Sequence, residues 1–196
     1  MLFMAQVISQ FLKEIRQCDV CAEHLHDGVN PIVQAHSDAQ LLIVGQAPGV
    51  RAHKSGVPWD DASGERLRSW LAIDRAQFYA DRVAIVPMGF CYPGKGKAGD
   101  LPPRKECAAR WHKQLLDQLP NIQLTILIGQ YAQNYYLPNR ERNLTLTVKN
   151  FLEYLPEFLV LPHPSPRNNI WLAKNPWFEL QVLPLLQDRV KSLLPT

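Results

Sequence analysis

Apolar residues near the start of the chain recur at steps of mostly three and four: Leu2, Phe3, Val7, Ile8, Phe11, Leu12 and Ile15. That spacing predicts an amphipathic helix over 2–17. After a polar stretch come four apolar runs without alternation, Leu41 to Gly45, Val83 to Met88, Leu124 to Gly129 and Phe158 to Leu161. A strand covered on both faces has this pattern. Helical periodicity is predicted between the runs, over 63–72, 104–119 and 130–137, and in a closing helix over 174–194. Ser63 is the expected N-cap of the first of these, with Arg66, Leu67, Trp70 and Leu71 on one face. Pro102-Pro103 would open the second and Pro120 stop it. Strands joined by helix-length crossovers imply a mainly parallel sheet with helices on both faces. Ligand sites in such sheets lie at the C-terminal ends of the strands, where Gly45, Pro87, Gly129 and His163 fall. The closing stretch, with Trp171, Trp177, Phe178, Leu180, Val182, Leu183, Leu186 and Val190 at helical steps, predicts core packing.

Composition narrows the class. The 196 residues, 46% hydrophobic and 20% charged, exclude a disordered or fibrous chain. They are enough for one core and are expected to form a single domain over 1–196. No apolar run approaches the ~20 residues that span a bilayer, and no export signal is visible at the N-terminus, so a cytoplasmic, monomeric protein is expected. The net charge of +3 weakly favours polyanionic partners. The stretch from Tyr92 to Arg104, with three glycines and two adjacent prolines, is long enough to be functional.

Four cysteines remain. Cys18 and Cys21 form a C-x2-C pair, and Cys91 and Cys107 are separated by fifteen residues. In a reducing compartment they read better as thiols or metal ligands than as disulfides. Four thiolates hold either zinc or a [4Fe–4S] cluster, and ligand type alone does not choose between these. Buried structural thiols are the plainer reading.

Six segments in order resemble the uracil-DNA glycosylase superfamily, nearest its iron–sulfur families four and five. They are Cys18-Asp19-Val20-Cys21, Gly45-Gln46-Ala47-Pro48-Gly49, Ser55 through Pro58-Trp59-Asp60-Asp61 to Gly64, the gap from Cys91 to Cys107, Leu127-Ile128-Gly129-Gln130-Tyr131-Ala132, and His163-Pro164-Ser165-Pro166. The resemblance runs over nearly the whole chain. It implies an α/β fold, a three-layer αβα sandwich around a four-stranded mainly parallel sheet. It also implies base-excision repair of DNA: hydrolysis of the N-glycosidic bond of a deaminated base, uracil first, by a monofunctional glycosylase. The cofactor implied is a [4Fe–4S] cluster on Cys18, Cys21, Cys91 and Cys107, with zinc as the alternative, serving structure or DNA contact rather than bond cleavage.

The resemblance also assigns roles. Trp59 matches the aromatic on which a flipped base stacks, and stacking is worth ~1–3 kcal/mol. His163 matches the histidine that donates to the base carbonyl, where negative charge develops. Gln46 and Ala47 would add backbone N–H donors, and Gly45 and Gly49 permit the tight path. Asp61, with Asp60 second, matches a water-binding carboxylate, helix capping being the plainer reading. DNA contacts are expected from Arg51 and Lys54, from Lys95 and Lys97 with Arg104 and Lys105, and from Ser165, Arg167 and Asn168, with Arg167 the candidate wedge.

Two positions depart from the family pattern. Gln46 stands where an acidic residue is usual; an amide can orient a water but cannot take its proton. Pro87 replaces an asparagine that reads the base edge, which leaves main-chain groups of Met88 or Gly89 as the expected substitutes in the base pocket, or a different lesion such as hypoxanthine. The competing readings are an iron–sulfur DNA-binding protein without hydrolysis and a zinc-stabilised hydrolase of small nucleosides.

Overall fold

A computed structural model describes residues 2–97 and 99–194, with side chains from residue 6 onward, so Leu2 and Phe3 of the expected helix face lie outside the described side chains. Helix α1 (Leu2–Arg16) buries Ile8, Leu12 and Ile15, one stripe at steps of four and three, and leaves Val7 in solvent. Next in chain order come β1 (Leu41–Val44), α2 (Val50–Ser55), α3 (Ala62–Leu71), α4 (Arg75–Phe78), β2 (Val83–Ile85), β3 (Lys95–Gly96), β4 (Gly99–Asp100) and α5 (Lys105–Leu116). The chain continues with β5 (Leu124–Ile128), α6 (Gly129–Tyr136), α7 (Leu144–Lys149), β6 (Phe158–Leu161), α8 (Asn169–Lys174) and α9 (Leu183–Leu193).

Strands β2, β1, β5 and β6 lie side by side in that order, all parallel, with Leu41 opposite both Val83 and Leu124, and Thr125 opposite Phe158. Every residue of β1, β2 and β5 is buried. Side chains alternate across a sheet, so burial at every position requires cover on both faces. Helices supply it: α3 packs on α9, α1 on α5, and α6 on α7 and β5. This is the α/β sandwich expected from the sequence. The edge at β2 is closed by Gln34, whose N–H and C=O pair with Ile85 at 3.0 and 2.8 Å. A covered edge does not recruit another chain.

The sequence expectations fail in three places. The β2 run was expected to reach Met88, but the strand ends at Ile85 because Pro87 has no N–H for the ladder. The chain beyond peels off and is held by Met88 N–H to Gly45 O at 2.9 Å and Gly89 N–H to Gln46 O at 3.0 Å. The N-cap of α3 is Asp61, not Ser63: its Oδ1 accepts from Gly64 N–H at 2.9 Å. The closing helix is not continuous over 174–194. It breaks into α8, a π-turn over Phe178–Val182 and α9, and Leu180 of the expected packing face is 75% exposed while Phe178, Val182, Leu186 and Val190 are buried. The glycine-rich loop contains the small antiparallel hairpin of β3 and β4.

Candidate active site

The turns after β1, β2 and β6 meet at the C-terminal edge of the sheet and, with the hairpin, enclose a pocket of about 440 Å³. Its lining takes Gly45 to Gly49 from the first turn, Trp59, Asp61 and Ser63 from the approach to and start of α3, Ile85 from the end of β2 and Pro87 just beyond it, Pro93 from the loop before the hairpin, Gly99 and Asp100 from the hairpin, and His163, Ser165, Arg167 and Asn168 from the turn after β6. The sequence-predicted His163, Asp61, Gln46, Ala47, Gly49, Trp59, Ser165, Arg167 and Asn168 are thus brought together.

His163 is held from three sides. Its Nδ1 accepts from Ser165 N–H at 3.2 Å, its carbonyl accepts from Asn168 Nδ2 at 2.7 Å, and Arg66 Nη1 donates to the Ser165 carbonyl at 3.2 Å. An Nδ1 that accepts leaves the proton of a neutral imidazole on Nε2. Burial lowers the His163 pKa, opposed by the carboxylate of Asp61. The side chain therefore stands neutral, a donor through Nε2.

Trp59 lies beside His163, ring centroids 5.6 Å apart. Its φ of 57° is left-handed, a conformation that costs a non-glycine residue about 1–3 kcal/mol. What holds it there is α3. The Trp59 carbonyl sits over Gly64, where a Cβ would come within 1.8 Å of the oxygen, and it accepts from Arg68 Nη1 at 3.4 Å.

Asp61 uses one carboxylate oxygen as the cap of α3; the other, Oδ2, faces Gly49. Asp60 turns away to Arg75 at 3.0 Å, and that hydrogen bond holds its carboxyl below the ordinary range. Gln46 Nε2 donates to the Leu101 carbonyl at 3.3 Å, tying the first turn to the end of the hairpin. Met88 is 6% exposed, in the core rather than on the pocket lining. The main-chain N–H groups of Met88 and Gly89, expected to stand in for the missing amide, are already donated to Gly45 O and Gln46 O.

Asp100 is the pocket group that the sequence reading missed. Its Oδ2 faces Gly49 together with Asp61 Oδ2. Asp100 accepts a hydrogen bond from Tyr92, and burial, followed by the charge of Asp100, raises the Tyr92 phenol. The signal was present in the loop marked as functional, but nothing in its spacing singled out Asp100.

Among the cations, Arg51 and Lys54 on α2 and Lys95 and Lys97 on the hairpin are exposed outside the pocket lining. The Arg167 guanidinium lies against Gly99, so the turn after β6 reaches the hairpin; a side chain at Gly99 would collide with it. Arg104 is paired with Glu106 at 2.6 Å, away from this pocket.

The four cysteines are free: Cys18 and Cys21 follow α1, Cys91 lies in the loop after β2, and Cys107 is in the first turn of α5. Burial raises Cys91 to about 11 and Cys107 to about 12, and in both cases nearby thiolates add to the rise, Cys18 and Cys21 for Cys91, and Cys91 as well for Cys107. Phe90 N–H donates to Cys107 Sγ at 3.3 Å. Among the described residues, no group of three or more His, Cys, Asp or Glu stands close enough to hold a metal ion. The thiols are within electrostatic reach without forming a closed ligand sphere. Among the same residues, no helix is long and apolar enough to cross a membrane.

The family profile described as the uracil DNA glycosylase superfamily matches residues 33–187. A type-4 uracil-DNA glycosylase from Thermotoga maritima is 23% identical over 192 residues, covering 96% of this chain and 93% of that protein.

Proposed function

The chain belongs to the uracil-DNA glycosylase superfamily, and from that premise we propose that it is a monofunctional DNA glycosylase that hydrolyses the N-glycosidic bond of a damaged base, with uracil as the deaminated base to test first. The observation that carries this reading is the Ser165 N–H on His163 Nδ1, in a pocket the imidazole shares with Trp59 and Asp61. A base reaches such a pocket only by leaving the stack, at a cost of a few kcal/mol. Stacking on Trp59 offsets part of that cost. Bond cleavage gives the sugar cationic and the base anionic character, and the Nε2–H of His163 donates to the base carbonyl where the negative charge gathers. A water on the free oxygen of Asp61 is aimed at the sugar carbon, and the Gln46 carbonyl oxygen helps orient it. Arg51, Lys54, Lys95 and Lys97 neutralise phosphates around the pocket mouth, so binding weakens with salt.

Cys18, Cys21, Cys91 and Cys107 match a [4Fe–4S] cluster in donor type and number, while among the described residues they do not stand close enough together to hold a metal ion. Zinc is the other occupant of such a set. Held by these four residues, such a group would tie the segment after α1, the loop after β2 and the first turn of α5 together.

The test is incubation of anaerobically purified protein with duplex and single-stranded oligonucleotides carrying one uracil, followed by alkali. Strand cleavage that vanishes in His163→Ala is the expected result, with iron and sulfide present in the purified protein. Salt-dependent DNA binding with no base release from any lesion overturns the enzymatic reading in favour of a DNA-binding protein.

A further inference from the structure

Two carboxylates from distant parts of the chain reach the same point of the pocket. Asp61 comes from the cap of α3 and Asp100 from β4, and a methyl group built on Gly49 would stand 3.6 Å from Asp61 Oδ2 and 3.7 Å from Asp100 Oδ2. Asp61 Oδ1 is occupied by the cap, and Gln46 beside them is an amide that takes no proton. Asp100 is held from several sides. It stands opposite Lys95 in the hairpin, and Tyr92 donates to its carboxylate. The adjoining Leu101 gives its N–H to the Gly94 carbonyl at 2.9 Å and accepts from Gln46 Nε2 at 3.3 Å. Tyr92 is buried whereas Asp100 is exposed on the pocket lining. The carboxylate is therefore placed from a fixed base and stays open to a ligand.

From this we propose that Asp100 is a catalytic residue of the hydrolysis, the second carboxylate at the water site and the group that takes the water's proton. The inference rests on the glycosylase reading and adds a residue to its reaction. A water standing over Gly49 meets both carboxylates, so Asp61 orients it through Oδ2 while Asp100 accepts its proton. As the N-glycosidic bond breaks, its electron pair leaves with the base, whose carbonyl His163 serves, and the sugar carbon becomes cationic. The water oxygen bonds to that carbon. One water proton passes to Asp100 and on to solvent, and the departed base takes up a proton from solvent. Two fixed negative charges beside a cationic sugar also lower the barrier directly, with no rearrangement at the moment of reaction.

The test compares single-turnover release from duplexes carrying one uracil or one hypoxanthine by wild type and by Asp100→Asn. Asparagine keeps the shape and an oxygen for Tyr92 and loses only the charge and the proton acceptor. The expected result is release about 100-fold or more slower, with an unchanged melting temperature. Gly49→Ala is the second variant. The φ of −80° at Gly49 suits alanine, and its methyl group takes the place of the water in ordinary contact with both carboxylates, so release should again be lost. Release as fast as wild type in either variant overturns the inference and leaves the glycosylase reading standing. A binding measurement needs no catalysis: a duplex with a cationic pyrrolidine in place of the sugar is compared with one carrying the neutral tetrahydrofuran. Wild type should prefer the cation about tenfold or more, and Asp100→Asn should lose most of that preference. If wild type releases neither base, the glycosylase reading falls. A cation preference that depends on Asp100 then still supports its carboxylate at the sugar, whereas no preference, or one that survives in Asp100→Asn, overturns the inference.

Discussion

His112 should make the fold acid-sensitive over a defined range. It is 1% exposed on α5, with Nε2 donating to the Pro87 carbonyl at 3.0 Å and Nδ1 accepting from Tyr136 Oη at 2.6 Å. Both ring nitrogens are satisfied in the neutral form. Burial lowers its pKa from 6.5 to about 4, opposed by the bond to Pro87. At 1.36 kcal/mol per pH unit, that difference links about 3 kcal/mol of stability to its proton. Between the two values the unfolded chain binds a proton that the folded chain refuses. The stability is therefore fully present above about pH 6.5 and is lost as pH falls toward 4. Urea unfolding followed by tryptophan fluorescence, at intervals from pH 7.5 to 4.5, measures this in the wild type and in His112→Gln. Glutamine keeps an N–H for Pro87 but does not titrate, and the titrations common to both chains cancel in the difference. Wild type should lose about 2–3 kcal/mol more than the variant by pH 4.5. Parallel curves would refute the assignment of a buried neutral histidine.

Gly64→Ala puts a methyl group into the Trp59 carbonyl, and because that neighbour is backbone, α3 or the aromatic must shift. A loss of about 1–3 kcal/mol, read as a lower melting temperature, is expected; an unchanged melting temperature would contradict the contact. Base release should be flat through neutral pH and fall on the acid side only below the ordinary histidine value of about 6.5, since burial keeps His163 neutral down to a lower pH. An acid limb of wild-type release centred above that value would contradict the burial argument.

The sheet was legible because strands buried on both faces leave uninterrupted apolar runs, as in Leu41 to Val44 and Leu124 to Ile128. Strand ends and caps were less so. Ser63 and Asp61 are both good caps, and the left-handed turn at Trp59, invisible in the sequence, precedes the extended Asp61 that takes the role. The closing segment misled because its apolar spacing continues through Asn175, Pro176 and the π-turn, where the hydrogen-bonding changes but the pattern does not. The hairpin of β3 and β4 has two residues in each strand, too few for alternation to register, so Asp100 went unseen. The residues of the pocket rim were found through motif order; its apolar depth needed Ile85, Pro87 and Pro93 to be seen on one surface.

Helix α3 acts as a ruler. Its first turn carries the Asp61 cap and Gly64, its second sends Arg66 to the Ser165 carbonyl and Arg68 to the Trp59 carbonyl, and Leu67, Trp70 and Leu71 anchor its other side in the core. The aromatic, the carboxylate and the histidine turn are therefore gauged from one rigid rod rather than from one another. Small excursions of the sheet carry all three together and preserve their spacing, whereas a tilt of this helix detunes them in concert.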